Sequence, residues 1–308
     1  MKRSIAIITR TVDRPVLLER ALRSILAQTF SDWHWVVVDS GKGEAVERLL
    51  HEHAETLKGR VTHLRFTNPS PGMRGIPINA GINASTSEFI TLLDDDDTWD
   101  PKFLETMIDA LKRKPLPTVR GVVCRTVCLE ESSVEHGLKP GRTWDLNADL
   151  CNVTLPQVAI VNRFCTHAFV YERAALETVG LYPEDYPVLE DWHFNLRFLL
   201  HYEILVVPQV LTTYHFRPPE VAGHEANSQT AERGDHKFHE ARLINEALRY
   251  DFRTGKPGLG HLLAEAALTR HMKETLHTHE SRLKTISEKT GKIDTRTKEL
   301  KDKLMPRR

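Results

Sequence analysis

The chain of 308 residues is short of the features that would place it in a simple class. Its four cysteines (Cys124, Cys128, Cys151 and Cys165) are few and irregularly spaced, which excludes a disulfide-stapled scaffold and points to reduced thiols in a reducing compartment. Cys124 and Cys128 can share one face of a strand, but no second pair stands at zinc-finger spacing. Neither sign of charge dominates. The 42 Lys and Arg match 42 Asp and Glu, and this balance argues against nucleic acid as the main partner. No apolar run approaches the roughly 20 residues that span a bilayer, so any membrane contact is expected to be peripheral. The apolar start ends at Thr9-Arg10 with no cleavage-type site after it, too short for an export signal.

What is present is sharply local. Residues 88 to 101 carry an apolar strand (Phe89, Ile90, Leu92, Leu93) directly into four consecutive carboxylates, Asp94 to Asp97, and then to Pro101 at a helix start. Adjacent carboxylates repel one another, so a fold that turns them inward must supply counter-charge, most simply a hard divalent cation with oxygen ligands. The first 130 residues alternate strand-like and helix-like runs, the signature of a parallel α/β sheet. Strands are expected at 4–9, 35–38, 61–66 and 89–93. Helices are expected at 15–28, with Asp13 as N-cap, and at 45–57, 77–84 and about 101–114. A loop dense in proline and glycine fills 68–75. After 118 the rhythm loosens, with a strand near 121–128, a long polar stretch to Asn152, a helix at 173–179, another from Glu190, and a strand at 206–215.

Beyond Pro218 the chain turns polar and helical. Met272, Leu276, His279, Leu283, Ile286, Thr290, Ile293, Thr297, Leu300 and Leu304 follow alternating steps of three and four, which fits a coiled-coil seam weakened by the two Thr, the His and Gly291. From 270 to 308, twelve Lys and Arg stand against six Asp and Glu. This segment is a solvated helix, a homo-oligomer stalk through 270–304, or a basic arm for an anionic membrane or a partner enzyme.

Five motifs occur in order: Ile5-Ala6-Ile7-Ile8-Thr9-Arg10-Thr11; Arg23-Ser24-Ile25-Leu26-Ala27-Gln28-Thr29-Phe30; Val36-Val37-Val38-Asp39-Ser40-Gly41; Leu93-Asp94-Asp95-Asp96-Asp97; and Leu189-Glu190-Asp191-Trp192. On these motifs residues 4 to about 217 resemble an inverting glycosyltransferase of family 2 with the GT-A fold. The fold so implied is a Rossmann-like nucleotide-binding mixed sheet flanked by helices. Residues 1–115 would bind the nucleotide sugar, 116–217 the acceptor, and 218–308 would form a helical extension. The resemblance implies Mn²⁺ or Mg²⁺ as cofactor, with Asp96, Asp94 and His215 as metal residues and Asp97 structural. It also implies donor contacts from Thr9, Thr11, Arg14, Asp39, Ser40, Arg74, Asn79, Asp94, Asp95 and Arg217, Asp191 as general base, and Glu190 as its neighbour that orients or binds the acceptor.

Two positions depart from the family pattern. Ser40 stands where a second acidic residue is common, and a hydroxyl can donate where a carboxylate only accepts, which leaves base identity open. Ile78 precedes Asn79-Ala80-Gly81 where an Arg is common; Arg74 supplies that charge or is a plain surface residue. His215 and Arg217 serve the diphosphate or only end a strand, and Trp144, Trp192 and Tyr186 stack a sugar ring or pack the core. The implied partners are a nucleotide diphosphate sugar and a glycan or lipid-linked acceptor in surface-polysaccharide synthesis, with action in the cytoplasm, peripheral at the inner membrane face. Two other readings remain open. A sugar-1-phosphate nucleotidyltransferase would need a Gly-rich loop after the first strand, which Arg10 to Pro15 lacks, and a non-catalytic scaffold assembling through the C-terminal helices would need neither acidic motif.

Overall fold

Ile5, Ile7, Trp35, Val37 and Phe89 can be buried together only if their strands lie side by side, and the computed structural model, which describes residues 4–67, 72–134, 137–218 and 233–304, has them so. The chain forms two compact units, Met1–Asn245 and Glu246–Arg308. In the first, β1 (Ile5–Thr11), β2 (Trp33–Asp39), β3 (Val61–Arg65) and β4 (Phe89–Leu92) pair in parallel in the order β3-β2-β1-β4. Because the chain adds β2 and β3 on one side of β1 and then crosses to place β4 on the other, strand order reverses between β1 and β4. In open α/β sheets ligands bind in the crevice that such a reversal opens at the carboxyl ends of the strands.

The sheet then turns mixed. Its path continues through β8 (Phe169–Glu172), β6 (Val119–Val134), β9 (Glu203–Phe216) and the short β5 (Thr98–Trp99), while β7 (Gly137–Asp145) pairs with β6. β8 runs antiparallel to β4, and β9 runs parallel to β6 for nearly its whole length. Helices α1 (Pro15–Leu26), α2 (Ala45–Glu52), α3 (Ala54–Leu57), α4 (Gly75–Asn83) and α5 (Phe103–Lys112) flank the first half. α6 (Leu155–Ile160), α7 (Leu176–Val179) and α8 (Glu190–Leu199) flank the second. α9 (Arg233–Thr254) and α10 (Leu259–Leu304) follow. Leu18, Leu22 and Ile25 of α1 and Phe103, Leu104 and Met107 of α5 are fully buried in the same core as the strands. Each such side chain contributes on the order of 1.5–3 kcal/mol.

Several expectations are corrected. Asp13 is not the cap of α1: it takes a left-handed φ of 52°, and its carboxylate accepts the Lys42 N–H at 3.1 Å, leaving Arg14 at the cap position. The helix expected over 45–57 breaks at His53 (φ −100°, ψ 9°) into α2 and α3. The polar stretch after Cys128 is largely the β6–β7 hairpin, whose solvent-facing residues hide the alternation that marks a strand. Pro187 and Val188 form a bend before α8, and Leu189 enters that helix with φ 66°. The 68–75 loop lies partly outside the described residues.

α4 reaches the second half of the sheet by close approach. A Cβ on Gly75 would sit 2.0 Å from the Pro183 carbonyl oxygen, and Asn79 holds the same loop by accepting the Tyr182 N–H at 3.0 Å and donating to the Tyr182 carbonyl at 2.9 Å. Gly75→Ala is therefore expected to lower stability by about 1–3 kcal/mol, because backbone must move to admit the methyl. Urea melts of the variant would check this, and an unchanged midpoint would show that the loop yields freely.

Candidate active site

β4 delivers Asp94 to Asp97 to the β1/β4 crevice, and residues from distant segments close around them. Asp95, Asp96 and Asp97 are buried and Asp94 half-buried. Arg10, the next-to-last residue of β1, donates to Asp94 at 3.2 Å. Arg14 reaches both Asp95 oxygens and stands 3.4 Å from Asp96, while Thr11 donates to Asp95 at 2.7 Å. Arg217, wholly buried, pairs with Asp96 and lies 3.4 Å from Glu131. His167 pairs with Asp97 through Nδ1 at 2.8 Å. The counter-charge that the acid run requires is thus supplied by three arginines and a histidine.

The local fields differ from one carboxylate to the next. Burial pushes Asp95 up to about 6 against the pull of Arg14. Burial also works to raise Asp96, but Arg14 and Arg217 outweigh it and hold that group below the usual carboxylate range. Burial raises Asp97 despite His167 beside it. For His167 burial disfavours the charged ring, yet Asp97 prevails and the imidazole is raised.

Glu190 and Asp191 open α8 on the other side of the crevice. Glu190 is buried, 3.6 Å from Arg10, so one guanidinium serves both Asp94 and Glu190. Burial pushes Glu190 up to about 7, Asp191 adds to the rise, and Arg10 and Arg74 oppose it. Arg74 is therefore close enough for Glu190 to feel its charge. Asp191 is half-buried, and its Oδ2 accepts Asn162 Nδ2 at 2.8 Å and Thr166 Oγ1 at 3.2 Å. Asn195 in turn donates to Asn162 at 3.1 Å.

Other expected site residues lie elsewhere. Thr9 is fully buried and accepts the Trp35 indole N–H at 2.9 Å, and Asn79 donates to the Tyr182 carbonyl at 2.9 Å and to Glu184 at 2.8 Å. Asp39, also buried, accepts Gly41 N–H at 2.8 Å and pairs with Arg65 at 2.7 Å and His63 at 3.2 Å; Ser40 is half-buried beside it. His215 faces Glu131 at 3.0 Å and Thr98 at 3.0 Å. Trp192 and Tyr186 are core residues, whereas Trp144 stays half-exposed. Arg10, Glu131, Asn162 and Thr166 join the site without having been expected there.

Among the described residues one ligand atom each from Asp94, Asp97 and His167 lies within 4.8 Å of the others. His167 Nε2 is buried with no hydrogen-bond partner there, a costly state for a polar nitrogen unless a ligand completes it. Two carboxylates and an imidazole suit a divalent cation such as Mn²⁺. This set shares Asp94 with the expected one, but Asp96 is turned to Arg217 and Arg14, and His215 to Glu131.

The sequence profile of glycosyl transferase family 2 matches residues 4–179. An uncharacterised glycosyltransferase of Nostoc sp. is 28% identical over 167 residues, 53% of this chain and 48% of its own length. The succinoglycan biosynthesis protein ExoW of Rhizobium meliloti is 33% identical over 101 residues, covering 32% of this chain and 31% of ExoW. The chain thus spans half or less of these relatives' length. The fold is that of S. aureus TarS 1–349 in complex with UDP-GlcNAc, with TM-score 0.59 and 20% identity over 89% of this chain and 73% of that one.

The raised Glu190 has a consequence for stability. Between its ordinary value near 4.5 and about 7 the folded chain keeps a proton that the unfolded chain has released, so stability falls as pH rises through that window. Glu190→Gln, which fixes the neutral form, is expected to gain about 1–3 kcal/mol over wild type at pH 8 and almost nothing below pH 4.5. Denaturant melts from pH 4.5 to 8 decide this; an advantage that does not grow with pH contradicts it.

Proposed function

This chain belongs to glycosyl transferase family 2, and we propose that it moves a sugar from a nucleoside diphosphate sugar to a hydroxyl of a glycan or lipid-linked acceptor, with inversion at the anomeric carbon. The observation that carries this reading is Arg10. It touches Asp94 in the acid run and Glu190 in the pair that opens α8, so the two acidic motifs form one crevice.

In this reading residues 1–115 bind the donor and 116–217 the acceptor. Asp191 takes the proton of the acceptor hydroxyl as that oxygen attacks the anomeric carbon opposite the leaving diphosphate. Its carboxylate is held in one orientation by Asn162 and Thr166, within reach of a proton on an incoming hydroxyl. Glu190 keeps a proton to about neutral pH and offers a donor to the incoming acceptor. The nucleoside lies against the ends of β1 and β2, where Thr11, Asp39 and Ser40 stand, with Arg14 and Arg74 toward the phosphates. Asp94, Asp97 and His167 are the residues fitted to hold a divalent cation, Mn²⁺ or Mg²⁺, with Asp96 next to them. Such an ion supplies Lewis-acid stabilisation of the charge that develops on the diphosphate.

Support for the acceptor class comes from relatives. One of them, 31% identical over 104 residues, is a Campylobacter jejuni β-1,3-glucosyltransferase whose name gives an undecaprenol diphosphate-linked glycan. From that acceptor class we place the protein in the cytoplasm, peripheral at the inner membrane face; among the described residues no helix is long and apolar enough to cross a membrane.

Asp191→Asn is expected to cut kcat by roughly 10²–10⁴-fold while leaving nucleotide-sugar affinity unchanged, since it removes the base and keeps the shape. His167→Ala is expected to weaken Mn²⁺ binding measured directly by calorimetry. Proton NMR of the product should give the anomer opposite to the donor's. A folded wild type that neither binds nor turns over UDP-, GDP-, dTDP- or CMP-sugars would overturn the transferase reading.

A further inference from the structure

We propose that α10 pairs with the same helix of further copies of this chain as a parallel coiled coil. The inference does not depend on the transferase reading. From 271 to 297 every described residue of α10 is exposed, including Met272 (57%), Leu276 (61%), Leu283 (65%), Ile286 (59%) and Ile293 (62%), and Leu300 beyond them is 59% exposed. These six apolar side chains fall on one heptad seam, with Leu276 and Leu283 at its a positions and Met272, Ile286, Ile293 and Leu300 at its d positions.

A lone helix of this composition is poorly supported. Gly291 sits inside it, and Thr278, Thr285, Thr290, Thr295 and Thr297 turn their hydroxyls back to the carbonyl four residues earlier, a habit that weakens helices. Helices draw most of their stability from packing an apolar face, and this face has no cover among the described residues.

The flanking charges say what covers it. In sequence the g positions carry Thr275, Arg282, Lys289, Arg296 and Lys303, and the e positions carry Lys273, Glu280, Ser287, Asp294 and Lys301, so both acidic residues of the two flanks stand at e. In a parallel pair each g residue meets the e residue five positions later on its neighbour, which sets Lys289 against Asp294, Arg282 against Ser287 and Thr275 against Glu280. In sequence only Arg296 with Lys301 is like-charged. An antiparallel pair would set the basic flank against itself along its length, so complementarity selects the parallel arrangement of identical chains. Leu at a with Ile at d favours three or four strands over two.

The test uses the full chain. Light scattering on a sizing column at micromolar concentration is expected to give an oligomer, reduced to the 35.2 kDa monomer in Leu283→Asp/Ile286→Asp. Lys289→Glu is expected to weaken association by about two- to five-fold, because it turns an attractive pair repulsive. In a Cys151→Ser background, which removes the exposed native thiol, Leu276→Cys and Leu300→Cys are each expected to cross-link to themselves on oxidation. A monomeric wild type, an oligomer indifferent to the double aspartate, tighter association by Lys289→Glu, or cross-linking only when the two Cys variants are mixed would each overturn the proposal.

Discussion

Four carboxylates at the end of one buried strand are the constraint around which this molecule is arranged. An isolated buried carboxylate costs several kcal/mol, and four in sequence add mutual repulsion. The chain answers with Arg10 from β1, Arg14 from the turn after it, His167 from the approach to β8, and Arg217 from beyond β9. Arg10 and Arg217 are 207 residues apart, so the charge cluster cannot form until the parallel and mixed halves of the sheet have joined. The buried Arg217–Asp96 pair, with Glu131 and His215 beside it, ties the last strand to the first half. What neutralises the acid run also closes the fold.

The same economy leaves a deliberate imbalance. Arg10 is shared between Asp94 and Glu190, at 3.2 and 3.6 Å, and half a partner is too little for a carboxylate as buried as Glu190. Asp96 with two arginines and Glu190 with a shared one therefore move in opposite directions, Asp96 down and Glu190 up to about 7. Carboxylates whose environments push them apart in this way are the usual raw material of acid–base chemistry at neutral pH. Two of the three positive-φ residues other than glycine among the described residues stand at the same place, the third being Lys58 at the end of α3. Leu189, immediately before Glu190, and Asp13, beside Arg14, both hold left-handed φ, a conformation worth on the order of 1–3 kcal/mol in a residue other than glycine. Each lies next to a group that must be aimed.

The sequence made some of this legible and hid the rest for physical reasons. The strands of the first half announced themselves as continuous apolar runs because both their faces are covered, and the acid run at the end of β4 marked the crevice. β7 and the outer part of β6 escaped notice because a hairpin with one wet face carries too few apolar residues to differ from a loop. Glu131 was lost with them, although it anchors Arg20, Arg217 and His215. Asn79 and Thr9 fit donor contacts by motif, and pattern alone cannot reveal that Asn79 also holds the Tyr182 backbone and Thr9 the Trp35 indole. Asn162 and Thr166 lie 29 and 25 residues before the carboxylate they orient, with no motif of their own.

Charge balance over the whole chain conceals two opposite local solutions. In the crevice, acid and base are interleaved and buried, and distance decides each group's protonation. On α10, one flank of an exposed apolar seam carries only basic charge and the other carries Glu280 and Asp294 between Lys273 and Lys301, and water screens any single pair to a few tenths of a kcal/mol. A net charge of zero is therefore no sign of electrostatic indifference here. It conceals a cluster whose charges must neutralise one another to fold, and a C-terminal segment, 270 to 308, whose twelve Lys and Arg outnumber its six Asp and Glu and are offset only by acid elsewhere in the chain.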